Sequence, residues 1–405
     1  MKRSGKRLLA AVLLLLVVLC AACSRINNEK PQELPPEIDN NGEAPPSEDK
    51  PSEDKPPETQ DEEKKLDARA REIMAGMTID EKIGQMFFVP LPLHSAAADM
   101  KEYQFGGYVV YRENLRANNG DWITSEQLQR LLDNIRAEAR LAPLFGADEE
   151  GGTVTRLSLN PNIFPDGKLE APQKIWKEQG VGALAEITAA ANAVLKQNGI
   201  SVNLAPVADV VTDRNVFMYA RSMGADAETT AELVRRIVSA IEESGVGAVL
   251  KHFPGYGNNE DTHKGMVIDE RPYEQFVSED FLPFAAGIEA GAGAVMMSHN
   301  IVTCMDAELP ASLSPEVHRV LREELGFDGV IMTDDLVMAA ADVGKERSKA
   351  VLAVLAGNDL LLSGSYKAEI AQIKAALERG ELTEERIDES VMRILKWKLK
   401  LGVIE

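Results

Sequence analysis

Two histidines in one segment of this chain could transfer protons. The run Lys251-His252-Phe253-Pro254-Gly255 follows a short apolar stretch, and Asp261-Thr262-His263 comes soon after it. The chain has five histidines in total, so this segment holds a large share of them. An aspartate two residues before a histidine can orient the imidazole and stabilise its charged form, and imidazole titrates near neutral pH. Together with the carboxylates of Asp334 and Asp335 further on, the pattern indicates acid–base and nucleophilic chemistry on a neutral polar substrate.

The elements that must position these residues alternate regularly from residue 66 onward. Short, almost entirely apolar runs predict strands at residues 85–90, 107–111, 143–147, 201–205, 248–252, 294–298, 329–333 and 359–362. Helical periodicity lies between them, at residues 125–139, 182–197, 229–244, 273–290, 314–325 and 339–356. Apolar strands separated by helices are typical of a parallel sheet covered on both faces. The pattern predicts a single α/β domain, a (β/α)8 TIM-type barrel, with a doubly wound open sheet as the alternative.

Polar residues cluster where the predicted strands end. The clusters are Asp148-Glu149-Glu150 after the third strand, Asp209 and Arg221 after the fourth, Lys251 and His252 at the fifth, Ser298-His299-Asn300 at the sixth, and Asp334-Asp335 at the seventh. Charge next to a buried strand is costly unless it is paired, and barrel active sites lie at the carboxyl ends of the strands. One cluster alone could be a structural salt bridge, but several on one face of a barrel favour a shared site.

In their order along the chain, these segments resemble family 3 glycoside hydrolases, in particular the bacterial NagZ-like β-N-acetylhexosaminidases. The matching segments are Asp148-Glu149-Glu150-Gly151-Gly152 with Arg156, Asn203-Leu204-Ala205-Pro206-Val207-Ala208-Asp209-Val210, Arg221-Ser222-Met223-Gly224, Lys251-His252-Phe253-Pro254-Gly255 with Asp261-Thr262-His263, and Thr333-Asp334-Asp335-Leu336 with Met338. They cover most of the predicted domain.

The resemblance implies a role for each matching residue. Asp334 would be the nucleophile that forms a glycosyl-enzyme, and His263, paired with Asp261, would be the general acid and base. The resemblance further implies that the hydroxyl and acetamido groups of N-acetylglucosamine are held by Asp148, Arg156, Arg221, Lys251 and His252. The expected substrates are N-acetylglucosamine-containing wall fragments.

The chain departs from the family pattern in the loop before His263. Tyr256 stands where the family usually has histidine, Asn258-Asn259 replaces Asp-Thr, and the loop is one residue shorter. Some relatives carry a second domain after the barrel, and none is expected in a chain that ends at Glu405.

Three other functions stay open on sequence grounds. One is a β-glucosidase of the same family, although the resemblance implies that the His263–Asp261 pair favours the hexosaminidase. Another is an N-acetylglucosaminide phosphorylase of that family, since a histidine acid and base would leave the site more tolerant of phosphate. A surface lipoprotein could instead bind sugars without cleaving them, although the presence of both Asp334 and His263 argues against that function.

The first 65 residues have a different composition from the rest. Residues 1–22 predict a lipoprotein signal peptide, because basic residues and a short apolar run precede Ala21-Ala22-Cys23. Cys23 would be lipidated, which predicts an extracytoplasmic protein anchored in the cell membrane; an ordinary cleaved signal or a membrane-anchoring helix is the alternative. Residues 23–65 are rich in Pro, Glu and Asp and predict a disordered acidic tether. The catalytic domain would then span residues 66–405.

Composition excludes several partners. The formal net charge of −21 argues against nucleic acid as a partner. No Cys/His cluster has zinc-ligand spacing, so neither a metal nor another cofactor is expected. A monomer is expected, and Cys304, the one cysteine after residue 23, is expected to be buried.

Overall fold

The computed structural model describes residues 57–262, 265–342, 344 and 348–405. The signal peptide, Cys23, most of the predicted tether and His263 lie outside these residues. Helix α1 covers Pro57–Ala75, so residues 57–65, which the sequence assigned to the tether, are helical in the structure. Arg69 of α1 donates to the backbone oxygen of Glu405 at 2.8 and 2.9 Å, which joins the helix to the end of the chain.

Eight parallel strands form the ring of a barrel. They are β1 (Phe87–Pro90), β2 (Gly107–Val109), β3 (Leu144–Ala147), β4 (Val202–Asn203), β5 (Gly247–Phe253), β7 (Ala294–Met297), β9 (Val330–Thr333) and β10 (Leu361–Leu362). Each pairs with the next in chain order, β1 also pairs with β10, and a parallel bridge from Met332 to Leu360 connects β9 to β10. The (β/α)8 prediction is therefore confirmed, and the open sheet is excluded.

Phe88 packs against two glycines on the neighbouring strands β2 and β3. Phe88 on β1 pairs in register with Gly107 and is fully buried. A Cβ atom on Gly107 or on Gly146 of β3 would lie 2.6 Å from the Phe88 ring. These two glycines therefore leave the space that the phenyl ring occupies. At Gly247 and Gly293 the indole of Trp397, which lies on the last helix, occupies the space that a Cβ atom would need.

Helices cover the outside of the barrel. They are α2 (Ile79–Gln85), α3 (Ala96–Tyr103), α4 (Ser125–Arg136), α5 (Pro172–Gln197, interrupted at Gly180), α6 (Ala227–Glu243), α7 (Tyr273–Gln275), α8 (Phe281–Glu289), α9 (Pro315–Arg319), α10 (Lys349–Ala356), α11 (Tyr366–Glu378) and α12 (Glu384–Lys400). Thr78 caps α2 with a capping box, since its hydroxyl accepts from Glu81 N and the Glu81 carboxylate accepts from Thr78 N. None of the helices within the described residues is long and apolar enough to span a bilayer.

Three local features differ from the sequence predictions. The predicted helix at 339–356 begins only at Lys349, because the Ser348 hydroxyl caps that helix and residues 339–341 form a separate turn. Two short strands, β6 (Ile268–Asp269) and β8 (Ile301–Val302), form an additional parallel pair. Cys304 lies in the turn after β8 and is exposed, so the expectation of a buried thiol is wrong.

Candidate active site

The carboxyl ends of the barrel strands surround one cavity of about 420 Å³. Asp148 follows β3, Lys251 and His252 lie on β5, and Asp334 follows β9. The cavity is lined by Tyr111, Asp148, Val154, Arg156, Leu204, Arg221, Lys251, His252, Met296, Asp334, Asp335, Met338 and Leu362. The structure thus brings six of the predicted site residues to one place, while their roles in binding and catalysis stay predictions.

Lys251 is the centre of an ion-pair network on one wall of the cavity. It is 1% exposed, and its Nζ lies 2.8 Å from Asp148 Oδ1 and 2.6 Å from Glu150 Oε1. Arg221 makes a two-point contact with Glu150, at 2.9 Å from Nε and 2.7 Å from Nη2. A planar guanidinium held in this way cannot rotate freely, so the network is rigid before any ligand enters.

The network keeps its charges at neutral pH. Burial alone would raise the pKa of Asp148, but Lys251 and Arg156 outweigh it and lower the pKa to about 2. Burial would also lower the pKa of Lys251, but Asp148 and Glu150 raise it. The wall therefore presents fixed cations and a fixed carboxylate, which suits the recognition of hydroxyl and amide groups on a neutral sugar.

Arg156 is positioned by two carboxylates, Asp148 in the cavity lining and the buried Glu149 outside it. Its Nη2 donates to Asp148 Oδ2 at 3.0 Å, and its guanidinium lies 5.4 Å from the centre of the Tyr111 ring. The buried Glu149 accepts from the backbone N–H groups of residues 156, 157 and 158 at 2.8–3.3 Å and also from the Ser158 hydroxyl. Glu149 thereby fixes the turn that carries Arg156, a role that the sequence analysis did not assign.

His252 is held by Asp209 from behind. Its Nδ1 lies 2.8 Å from Asp209 Oδ2, and Asp209 has no exposed side-chain surface. The other imidazole nitrogen faces the cavity, 3.5 Å from Arg221 Nη2. Asp209 belonged to a motif quoted from the sequence, but its pairing with His252 joins β5 to the segment after β4 and is not visible as local spacing.

Asp334 is a partly exposed carboxylate at the end of β9. Its N–H donates to the Met297 carbonyl at 3.1 Å, and its Oδ1 accepts from the Asp335 N–H at 2.8 Å. Burial would raise its pKa, but the imidazole of His252 and the Asp335 N–H are among the groups that outweigh burial and lower the pKa. An ionised carboxylate with a free edge toward the cavity is the form that a nucleophile needs.

His299 holds the turn that carries Asp334. Its Nε2 lies 3.0 Å from the Asp335 carbonyl, which can only accept, and its Nδ1 lies 2.7 Å from Ser312 Oγ. The contact assigns the ring proton to Nε2 and makes Nδ1 the acceptor of the serine hydroxyl. Burial lowers the pKa of His299, so the ring is neutral and serves as a support.

The loop from His252 to Thr262 is anchored by an arginine that the sequence analysis missed. Arg271 donates to Asp269 at 2.8–3.0 Å, to Asp280 Oδ2 at 2.7 Å and to the Gly255 carbonyl at 3.1 Å. Asp280 reaches this position from the wide helical turn Phe276–Asp280 between α7 and α8. Asp261 lies in the same loop and is partly exposed. Because His263 lies outside the described residues, its pairing with Asp261 stays a prediction.

The described residues contain no group of three or more His, Cys, Asp or Glu side chains arranged to hold a metal ion. The cavity lining offers carboxylates, cations and the imidazole of His252. Together they can bind a polyhydroxylated ring and present a carboxylate to one of its carbon atoms.

Known proteins with similar sequences and structures carry consistent names. The family model of the glycosyl hydrolase family 3 N terminal domain matches residues 78–397. A beta-hexosaminidase of Xanthomonas campestris is 34% identical over 239 residues, which cover 58% of this chain and 69% of that protein.

Two solved structures extend the similarity to the fold. A glycoside hydrolase family 3 beta-N-acetylglucosaminidase from a Paenibacillus species superimposes with a TM-score of 0.74 at 31% identity, over 81% of this chain and 63% of that chain. The present chain thus spans less than two thirds of the Paenibacillus protein. A beta-N-acetylhexosaminidase from Beutenbergia cavernae gives a TM-score of 0.67 at 26% identity, over 79% of this chain and 98% of that one.

Proposed function

Because the chain belongs to glycosyl hydrolase family 3, we propose that it is a retaining β-N-acetylhexosaminidase. It removes terminal, non-reducing N-acetyl-β-glucosamine residues through a covalent glycosyl-enzyme. One observation carries the proposal: Asp334, a carboxylate with a lowered pKa, lines the same cavity as Asp148 and the two cations paired with it, Lys251 and Arg156. The names of the relatives from Xanthomonas, Paenibacillus and Beutenbergia support the choice of N-acetylglucosamine.

The first chemical step breaks the glycosidic bond. Asp334 attacks the anomeric carbon, and the electron pair of the broken bond goes to the leaving oxygen. His263 gives its proton to that oxygen, so the aglycone leaves as a neutral alcohol. Asp261 orients the imidazole and stabilises its charged form.

The second step releases the sugar. A water molecule attacks the anomeric carbon from the face that the aglycone left, while neutral His263 takes a proton from this water. The bond to Asp334 breaks and its carboxylate is regenerated. Two displacements at one carbon leave the sugar in the β configuration with which it started.

The binding wall explains how the sugar is oriented. Lys251, Arg221, Arg156 and Asp148 supply donors and acceptors in fixed positions, and His252 adds an imidazole edge. These five residues hold the hydroxyl and acetamido groups of the sugar. The cavity volume of about 420 Å³ is in the range of sites for small ligands, which suits the removal of one terminal sugar at a time.

A substrate comparison tests the proposal. A chromogenic N-acetyl-β-glucosaminide should be cleaved much faster than the matching β-glucoside, and NMR should detect the β anomer as the first product. Faster cleavage of the glucoside would identify a β-glucosidase. A sugar 1-phosphate that forms after addition of phosphate would identify a phosphorylase. If none of these substrates is turned over, the protein would instead bind sugars without cleaving them.

The natural substrates in this proposal are peptidoglycan fragments, and the protein acts as a monomer anchored to a membrane outside the cytoplasm. The signal-like residues 1–22 and Cys23 motivate the anchor. Cys23→Ala should move the protein from the membrane fraction to the soluble fraction. If that variant partitions into detergent as the wild type does, lipidation at Cys23 is ruled out.

A further inference from the structure

Tyr256 occupies the middle of the loop between His252 and Asp261. It is the position where the sequence departs from the histidine usual in the resembled family. Its side chain is 2% exposed. The ring contacts His252 and Phe217 edge to face, with centroid distances of 5.4 and 5.5 Å. A buried tyrosine at this position can act on the site through its hydroxyl and its backbone as well as through packing.

The backbone of Tyr256 is tied to the group that holds His252. The Tyr256 N–H donates to Asp209 Oδ1 at 2.8 Å, and the other oxygen of the same carboxylate lies 2.8 Å from His252 Nδ1. The Tyr256 carbonyl accepts from Asn259 Nδ2 at 2.9 Å. Any shift of this residue would therefore be transmitted to His252 on one side and to the loop on the other.

The hydroxyl of Tyr256 reaches the far end of the loop. It contacts the Thr262 hydroxyl and accepts from the Thr262 N–H at 3.4 Å. Thr262 is fully buried and lies in sequence between Asp261 and His263, the two members of the proposed acid–base pair. Burial raises the pKa of Tyr256, so its phenol stays protonated, and either hydroxyl can donate in its contact with Thr262 Oγ1.

We propose that Tyr256 is a positioning residue that ties the His252 side of the sugar site to the segment carrying Asp261 and His263. The inference rests on the proposed function, since it assigns the purpose of the contact to proton transfer by that pair. Tyr256 itself touches no reacting atom. Its hydroxyl sets the position of Thr262, and the neighbouring residues are carried with it through the backbone.

The variant Tyr256→Phe tests this role, because it keeps the ring and removes only the hydroxyl. On a disaccharide with a poor leaving group we expect kcat to fall about 10- to 100-fold, the scale of a misplaced proton-transfer group, with KM nearly unchanged. On an activated aryl glycoside the first step should persist and the glycosyl-enzyme should accumulate. Azide should then accelerate the variant, because it attacks without needing a base.

Tyr108→Phe is the matched control. Tyr108 of β2 is also buried, and its hydroxyl donates to the Ala96 carbonyl at 2.8 Å. Neither residue lines the cavity. This variant should show a comparable loss of thermal stability and an unchanged dependence of rate on the leaving group. Thr262→Val removes the other partner and should reproduce the Tyr256→Phe phenotype without adding to it in the double variant.

Three results would overturn the inference. Wild-type leaving-group dependence in Tyr256→Phe would show that the hydroxyl does not position the acid–base pair. Equal kinetic losses in Tyr256→Phe and Tyr108→Phe would show that the contact between Tyr256 and Thr262 only stabilises the fold. A wild-type protein that cleaves no N-acetyl-β-glucosaminide would remove the proposed function itself, and that outcome is visible before any variant is made.

Discussion

Asp334 and Asp328 are two carboxylates at opposite ends of the same strand. Asp328 precedes β9 and is exposed, whereas Asp334 follows it and lines the cavity. Asp334→Ala should abolish turnover and preserve the fold, because a strand-end carboxylate of this kind serves chemistry rather than packing. Asp328→Ala should keep wild-type kcat. Near-normal activity in Asp334→Ala, or a fluorinated sugar that labels another residue, would rule out Asp334 as the nucleophile.

Loss of His263 should affect substrates according to their leaving groups. An aryl group of low pKa leaves with little protonation, so His263→Ala should slow its first step less than that of a disaccharide. The second step would still lack its base, and the intermediate should accumulate. Asp261→Asn should give a milder form of the same pattern. The dependence on the leaving group is measured as the rates of each variant on a series of aryl glycosides. If His263→Ala slows all of them equally and azide restores no activity, another residue transfers the proton.

At the residue scale, sequence reasoning located the site through one rule, that polar residues after buried strands share a pocket. Asp148 and Asp334 follow buried strands as the rule requires, and Lys251 lies near the carboxyl end of β5. The rule also applied to Tyr111, which follows β2 and was overlooked. It could not predict that Asp209 pairs with His252, because residues 43 positions apart in sequence meet only when the barrel has formed.

Among the elements, the described part of the loop between β5 and β6 is anchored by the side chain of Arg271. Arg271 is 20% exposed and compensates the buried Asp269 and Asp280. Arg271→Met would leave both carboxylates without their cation, which should cost about 3–5 kcal/mol of unfolding free energy. It should also lower kcat, since the arginine holds the Gly255 carbonyl.

Arg319 provides the control for that prediction. It contacts three carboxylates, those of Glu316, Glu323 and Glu324, where Arg271 contacts two, but its side chain is 41% exposed. Arg319→Met should cost about 1 kcal/mol or less, because water screens exposed ion pairs. Urea unfolding of the two variants measures the difference, and equal losses would contradict the anchoring role of Arg271.

The order of the elements was predictable, and some of their ends were not. All eight strands lie at the predicted segments, because short continuous apolar runs that alternate with amphipathic helices are typical of strands buried on both faces. The predicted helix at 339–356 was wrong in its first part. The apolar residues of 339–341 are separated from those of 350–356 by a mostly polar stretch that holds Gly344, whose φ is positive, and Ser348, which caps the later helix.

At the scale of the whole molecule, a buried lysine should make stability depend on pH. Lys398 of α12 has no exposed surface, and its Nζ donates to Gln85 Oε1 at 2.7 Å and to the Ala142 carbonyl at 3.0 Å. Burial lowers its pKa to about 7 from an ordinary value of 10.5. Between these values the unfolded chain binds the proton and the folded protein does not, so this group adds stability as the pH rises from about 7 to about 10.5.

Lys398→Met should remove that contribution. The measurement compares the unfolding free energies of the wild type and the variant at about pH 7 and about pH 9.5. The wild type should gain stability relative to the variant at the higher pH. A difference between the two proteins that stays constant with pH would mean that Lys398 keeps its charge when buried.

The cavity is electrically balanced although the chain is strongly acidic. Its lining includes three carboxylates, Asp148, Asp334 and Asp335, and three cations, Arg156, Arg221 and Lys251, whereas the formal net charge of the chain is −21. A neutral glycoside therefore approaches without long-range attraction or repulsion, and its kcat/KM should not change with ionic strength. An anionic wall peptide would be repelled by the acidic surface, and added salt should speed its capture by screening that repulsion beyond about 10 Å. The salt dependence of the two substrates, measured side by side, would reveal how the acidic surface selects what reaches a neutral pocket.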